Sequence, residues 1–314
     1  MLELVLIILG LVGLWFGSDY AVEAARRIAL KLGISELIIG LTITSIGTSL
    51  PEIFTNIMAG FQTRAGLDAS GIAVGNIIGS NLAQITLLLG IVGFISVLSI
   101  PARSLRRDGI MLFFAILLMF VTVSDGYVTQ FEGAFLVASY LIYLAFLLNQ
   151  ERITGKNEGV GRNYHIITDV FKTLIGLVAV IVSANLVVEN GVSMAKEIGI
   201  DDAIIGLLVG LGTSIPELTV SLRAISKRAG HLSLGNLIGS NITDPLFSFG
   251  VGAMIAGVTV SSTVIRFDFP FWMASTAIAL LLLYNHMDLN RKESSILIIL
   301  YALFMYVRLT FFIA

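Results

Sequence analysis

Cysteine is absent, which removes disulfides, thiolate metal sites and cysteine nucleophiles from consideration. Charge is scarce: 13% of the 314 residues are Asp, Glu, Lys or Arg, against roughly 25% in a soluble domain. The formal net charge of −2 points to neither a nucleic acid nor an acidic partner. The three histidines, His165, His231 and His286, fall near the ends of apolar runs, where water or headgroups meet them. Apolar–polar alternation is missing, which disfavours a β-barrel. The first apolar run, residues 2–17, has no basic segment or small-residue cleavage site before it. It reads as a retained span rather than a signal peptide.

What is present is apolar sequence: 56% hydrophobic residues and a mean hydropathy of +0.95. Runs of about 18 or more apolar residues recur, the length that crosses a bilayer as a helix. Punctuation by Gly, Pro and charge predicts an all-α membrane protein with ten transmembrane helices, near 2–30, 36–62, 70–99, 107–124, 128–149, 165–194, 202–225, 232–260, 266–285 and 293–312. The longest connection, 150–164, is a short polar loop with no room for a soluble domain. Fifteen basic residues fall on one side of these spans and four on the other. That asymmetry predicts both termini outside and the central loop in the cytoplasm.

The chain is also written twice. LKLGISELIIGL (30–41) precedes IGTSLPE (46–52), and VGNIIGSN (74–81) follows. AKEIGIDDAIIGL (195–207) precedes LGTSIPE (211–217), and LGNLIGSN (234–241) follows. The expected organisation is a five-helix repeat over 1–149, a linker over 150–164 and a second five-helix repeat over 165–314. Five is odd, so the second repeat enters the membrane inverted, an architecture of secondary transporters with a site near the midplane.

The repeated phrases are the polar ones. A proline within a helix frees the carbonyl four residues back, here near Gly47 and Gly212. Irregular backbone at membrane depth survives where it is satisfied or lines a cavity. Thr48, Ser49, Thr213 and Ser214 bring hydroxyls to these turns, and Glu52 and Glu217 follow the prolines. Ser80 and Ser240 lie one helical turn before Gln84 and Asp244. Gly75 and Gly79, like Gly235 and Gly239, have the spacing that allows close helix approach. A carboxylate at the bilayer centre costs about 2.5 kcal/mol or more, so intramembrane acids are read as functional. Glu52, Glu217 and Asp244 have no Lys or Arg within their motifs, and the expected counter-charge is a mobile cation or a proton. All the donors are oxygens, which suits a hard cation better than zinc, copper or iron.

At these residues the chain resembles the cation/calcium antiporter superfamily, and within it the prokaryotic sodium/calcium exchangers. The resemblance implies a multi-pass protein of the prokaryotic plasma membrane that exchanges sodium for calcium by alternating access. It implies no cofactor and no obligatory protein partner; Ca²⁺ and Na⁺ are cargo and the lipid bilayer is the surroundings. By motif position it makes Glu52 and Glu217 central calcium ligands that also serve sodium. Thr48 and Thr213 join the calcium site through their backbone carbonyls. Ser49, Ser80, Ser214 and Ser240 line sodium sites, with the carbonyls of Ser45 and Gly210, while Asp244 and Gln84 take the central acid-or-amide position. Three departures stand out. Gln84 replaces the usual asparagine or aspartate, Pro245 follows Asp244, and the first repeat has five extra residues between its glutamate and GN, expected as a longer external turn.

Alternatives are a proton/calcium exchanger, a potassium-dependent exchanger, a gated cation channel and an intramembrane enzyme. The proton-coupled branch carries a glutamate shortly after GN, which this chain lacks in both repeats. An amide at 84 disfavours potassium dependence. No histidine or cysteine near the glutamates supports catalysis, so the chain is not read as an enzyme. Asn76, Asn81, Asn236 and Asn241 read as fasteners between helices, Asp19 and Glu23 as an interfacial polar face, and Glu132, Asp268 and Asp288 as boundary charges.

Overall fold

A computed structural model describes residues 2–154, 166–197 and 211–312. Gly210, the doublet Asp201–Asp202, His165 and most of the linker 150–164 lie outside the described residues. Within them the chain is helical, with four two-residue strands.

Helix α1, Leu2–Leu32, ends where Gly33 turns left-handed at φ 63°, a conformation that costs glycine nothing. Ser35 caps α2, Glu36–Thr48, by accepting from the Ile38 amide at 3.4 Å. A π-helical turn over Gly40–Thr44 interrupts α2. The first repeat has one residue more than the second between IIG and GTS, LTITSI against LLVGL, and a π turn absorbs one such insertion.

The helix then breaks at Ser49, and α3, Leu50–Arg64, leaves at a bend of 47°. Pro51 lies in the first turn of α3, and Pro216 lies in the first turn of α8, Ile215–Ser226. The prolines therefore start helices rather than kink them from within. A first-turn residue has no intrahelical partner for its N–H, so proline loses nothing there, and Glu52 and Glu217 meet the positive end of the helix dipole.

The remaining helices are α4 (Ser70–Ile95), α5 (Ala102–Val123), α6 (Gln130–Thr154), α7 (Ile166–Glu197), α9 (residues 230–256), α10 (Val264–His286) and α11 (Arg291–Phe312). Among the described residues six helices are long and apolar enough to cross a bilayer, and the bent pair α2–α3 makes seven. Of the other three expected spans, α5 opens on Arg103, Arg106, Arg107 and Asp108, α9 carries the polar run 239–244, and the one expected at 202–225 runs into residues that are not described. The five extra residues of the first repeat divide between helix and turn. Helix α3 has 15 residues against 12 in α8, and the turn 65–69 is two residues longer than 227–229.

The chain forms two compact units, Met1–Pro51 with Leu147–Asn236, and Glu52–Phe146 with Leu237–Ala314, each taking elements from both halves of the sequence. In the first unit α1 and α7 pack antiparallel along small residues. A side chain on Gly17 would meet the Gly176 carbonyl at 3.1 Å, and one on Gly176 would meet the Gly17 carbonyl at 2.8 Å. Val22, Ala25, Ile28, Val180, Val220 and Leu232 belong to the core around them. Gly40 and Gly235 also face each other at backbone distance, whereas nothing described lies within 4 Å of a Cβ on Gly75 or Gly79.

In the second unit the strand Leu98–Ser99 pairs antiparallel with Asp288–Leu289, and Tyr127–Val128 with Val258–Thr259. Each pair joins one half of the sequence to the other. Trp272, Phe249 and Phe269 are the unit's largest fully buried side chains. Thr129 and Glu132 form a capping box at the start of α6, with the Glu132 carboxylate 2.8 Å from the Thr129 amide.

Candidate functional site

In the first unit, Ser45, Thr48, Ser49, Ser214 and Glu217 are all buried. Asn236 connects the two repeats here. Its amide donates to the Glu217 carbonyl at 3.3 Å and to Ser221 Oγ at 3.1 Å, and its side-chain oxygen accepts from Thr48 Oγ1 at 3.2 Å. Thr48 Oγ1 also lies 3.3 Å from the Ser45 carbonyl, which accepts the Ser49 amide at 2.9 Å. Ser49 Oγ and Ser214 Oγ have no hydrogen-bond partner among the described residues, so their lone pairs remain available. Thr213 is half-buried in the turn before α8.

The second unit repeats part of this plan. Asn76 donates to the Glu52 carbonyl at 3.3 Å, the same bond that Asn236 makes to Glu217. Asn56 donates to that carbonyl at 2.9 Å and to Ser248 Oγ at 3.0 Å. The backbone behind each glutamate is thus anchored by amides, while the carboxyl groups sit at zero exposure.

Gln84 and Asp244, both fully buried, each open a π turn, Gln84–Leu88 and Asp244–Ser248. A π turn widens the helix locally and recurs at functional sites. The asparagines one turn upstream cross over. Asn81 donates to Asp244 Oδ2 at 3.1 Å, and Asn241 donates to Gln84 Oε1 at 3.0 Å. Each also bonds its own helix, at the carbonyls of Ile77 and Leu237. Ser80 Oγ bonds the Ile77 carbonyl at 3.3 Å, whereas Ser240 Oγ is buried without a partner among the described residues. All four motif asparagines act as fasteners. Beside this group Thr243 Oγ1 donates to the Tyr140 hydroxyl at 3.1 Å.

Among the described residues no cluster of three or more acids or histidines is gathered to hold a metal. Within each unit the buried oxygens are mixed: a carboxylate with hydroxyls and carbonyls in the first, and carboxylates with a hydroxyl and an amide oxygen in the second. Such a set suits weakly polarising hard cations, which take six to eight oxygens with little demand on geometry.

Several charged residues have partners that the sequence does not show. Asp19 and Glu23 are partly exposed, and each has a basic partner. Asp19 accepts from Arg223 Nε at 2.8 Å and pairs with Lys227, which reaches Glu23 at 3.1 Å. Arg223 also lies 4.4 Å over the Trp15 ring. Asp268 is no ordinary boundary charge: it is buried and paired with Arg308 at 3.1 Å. Asp108 escaped the sequence reading altogether. It is fully buried, held by Arg107 at 2.7 Å and by the Tyr143 hydroxyl at 3.2 Å. Counting from the matched strands Leu98–Ser99 and Val258–Thr259, Asp108 and Asp268 occupy the same place in the two repeats. That internal alignment was the signal that could have found it.

Comparisons with known proteins agree with one another. The family profile "Sodium/calcium exchanger protein" matches residues 2–149 and 170–310. "Sodium/calcium exchanger MaX1" of Methanosarcina acetivorans is 31% identical, covering 96% of this chain and 97% of its own length. "Putative antiporter CaxA" of Alkalimonas amylolytica is 32% identical over 96% and 97%. Solved structures of the sodium-calcium exchanger NCX_Mj superpose with a TM-score of 0.84 at 30% identity, covering 97% of this chain and 98% of theirs. With a profile spanning nearly its whole length and relatives matched from end to end, the chain belongs to the sodium/calcium exchanger family.

Proposed function

We propose that this protein is a secondary antiporter that uses sodium entry to expel calcium. The observation that carries the proposal is the complete burial of Glu52, Gln84, Glu217 and Asp244, each at a matched place in a duplicated helical frame. Carboxylates at that depth are tolerated only with compensating positive charge or protons. A cargo cation supplies that charge and leaves again. The relatives, named as exchangers and antiporters, support the same reading.

In this reading Glu52 and Glu217 hold Ca²⁺, with Thr48 and Thr213 adding oxygens from the adjoining turns. Ser49, Ser80, Ser214 and Ser240, with the carbonyls of Ser45 and Gly210, complete smaller sodium sites that share the same carboxylates. Asp244 contributes a third acid and Gln84 a neutral amide. Filling the sodium sites withdraws carboxylate oxygens from calcium, so competition for shared ligands couples the two fluxes. Ten spans in two inverted repeats, with both termini outside the plasma membrane, provide alternate exposure of this site. No cofactor enters the scheme.

The test is flux from proteoliposomes loaded with radiolabelled calcium. Adding sodium outside, with potassium held constant, drives calcium out. Efflux that ignores sodium and follows a proton gradient instead defeats the proposal.

A further inference from the structure

Beyond transport, helix α5 carries a feature that the ion site does not use. Two grooves run along its sides within the second unit. One, of about 490 Å³, lies between α5 and α6 and is lined by Arg107, Met111, Ile142 and Phe146. The other, of about 600 Å³, lies between α5 and α10 and is lined by Arg106, Phe113, Leu281 and Tyr284. Ile110 and Phe114 line both grooves and form the ridge between them. The linings include small residues, Ser139 in one groove and Gly109 and Ala277 in the other, beside large apolar side chains. The walls are apolar and the heads are basic.

The ridge is one helical stripe. Arg103, Arg106, Ile110 and Phe114 recur at three- and four-residue spacing, so they share a face of α5. Arg103 and Arg106 are exposed, as are Ile110 and Phe114. Arg107 is committed to Asp108, which leaves Arg103 and Arg106 as the basic heads. The corresponding stretch of the second repeat, 262–268, has one arginine where 102–108 has three. The fold therefore does not itself require this cluster.

We infer that α5 is the seat of a bound anionic phospholipid, with one acyl chain in each groove and the phosphate on Arg103 and Arg106. A zwitterionic lipid carries a cation beside its phosphate and gains less from two adjacent guanidinium groups. Juxtamembrane arginines attract anionic headgroups for this reason, and guanidinium forks match phosphate oxygens. The inference stands independently of which ions are transported.

The experiment is native mass spectrometry of the full chain, released from mixed micelles holding phosphatidylglycerol and phosphatidylcholine with identical chains. The wild type retains phosphatidylglycerol about tenfold over phosphatidylcholine. The pair Arg103→Gln/Arg106→Gln brings that ratio to about one, while Arg266→Gln leaves it at the wild-type value. Ile142→Trp and Leu281→Trp, at exposed groove positions, lower retention of both lipids without touching the arginines. Equal retention of the two lipids by the wild type overturns the inference. So does a preference that survives the arginine pair, as expected if these residues serve only membrane orientation. Displacement by inorganic phosphate as effective as by lipid assigns the arginines to a free anion and overturns it as well.

Discussion

Asn81 and Asp244 lie on different repeats, yet the amide of the first donates to the carboxylate of the second at 3.1 Å, deep inside one packing unit. Its mirror, Asn241 to Gln84 at 3.0 Å, ends on a neutral amide. The same fastener therefore grips a charge on one side and a dipole on the other. A hydrogen bond to a charged group contributes about 1.5–3 kcal/mol, and one to a neutral group about 1 kcal/mol. Asn81→Leu is expected to weaken calcium binding about tenfold or more, and Asn241→Leu by a factor nearer five. Isothermal titration of the two variants measures the difference, and equal losses refute the distinction.

Glu52→Gln and Glu217→Gln each remove a charge while keeping the size of the side chain. If sodium and calcium share these oxygens, each variant loses calcium binding and its displacement by sodium together. Titration with each ion separately checks this. A variant that loses one ion and keeps the other argues for separate sites.

Pro245 interrupts a helix in the second repeat at a place where the first has Ile85. The π turn Gln84–Leu88 forms without a proline, so the turn Asp244–Ser248 does not depend on one. Pro245→Ile is expected to change the thermal midpoint by only a few degrees and to leave exchange near wild type. Loss of transport would make the ring itself a part of the site.

The ion pairs linking α1 to α8 are partly exposed, with side-chain exposures of 20% for Arg223 and 31% for Asp19. Pairs of this kind are worth about 1 kcal/mol or less each and weaken with salt. Asp19→Arg is expected to depress exchange, and Asp19→Arg with Arg223→Asp to recover part of it. A double-mutant cycle run at low and high ionic strength reads the coupling directly. Zero coupling at low salt removes the pair from any functional account.

The candidate site is legible because its polar phrases are repeated. GTS[LI]PE and GN[IL]IGSN marked Glu52, Glu217, Gln84 and Asp244 without any structure, since polar phrases in an apolar chain are conspicuous. The asparagine fasteners were legible for the same reason. The proline break was misread. The run of apolar residues on both sides suggested one continuous helix, although Ser-x-Pro-Glu is itself a helix-start pattern. The π turn Gly40–Thr44 shows in the sequence only as one extra residue when the repeats are aligned, and Gln84–Leu88 and Asp244–Ser248, present in both repeats, leave no such difference to read. Asp108 was hidden by its neighbours: beside Arg106 and Arg107 it looks like a membrane boundary, and only burial with the Tyr143 hydroxyl reveals it as interior. Asn56, Ser221 and Ser248 lie outside the repeated phrases and gave no sequence signal.

The charged grip of Trp15, Asp19 and Glu23 on Arg223 and Lys227 has no twin: the matching residues of the other repeat are Ile181, Asn185, Glu189, Met58 and Gln62. A carrier made of two equivalent halves would rest equally in either orientation, like a balanced seesaw. If the opposite orientation parts these pairs, weight on one end alone gives this one a preferred resting side, and the work of tipping it away must come from the ions it carries.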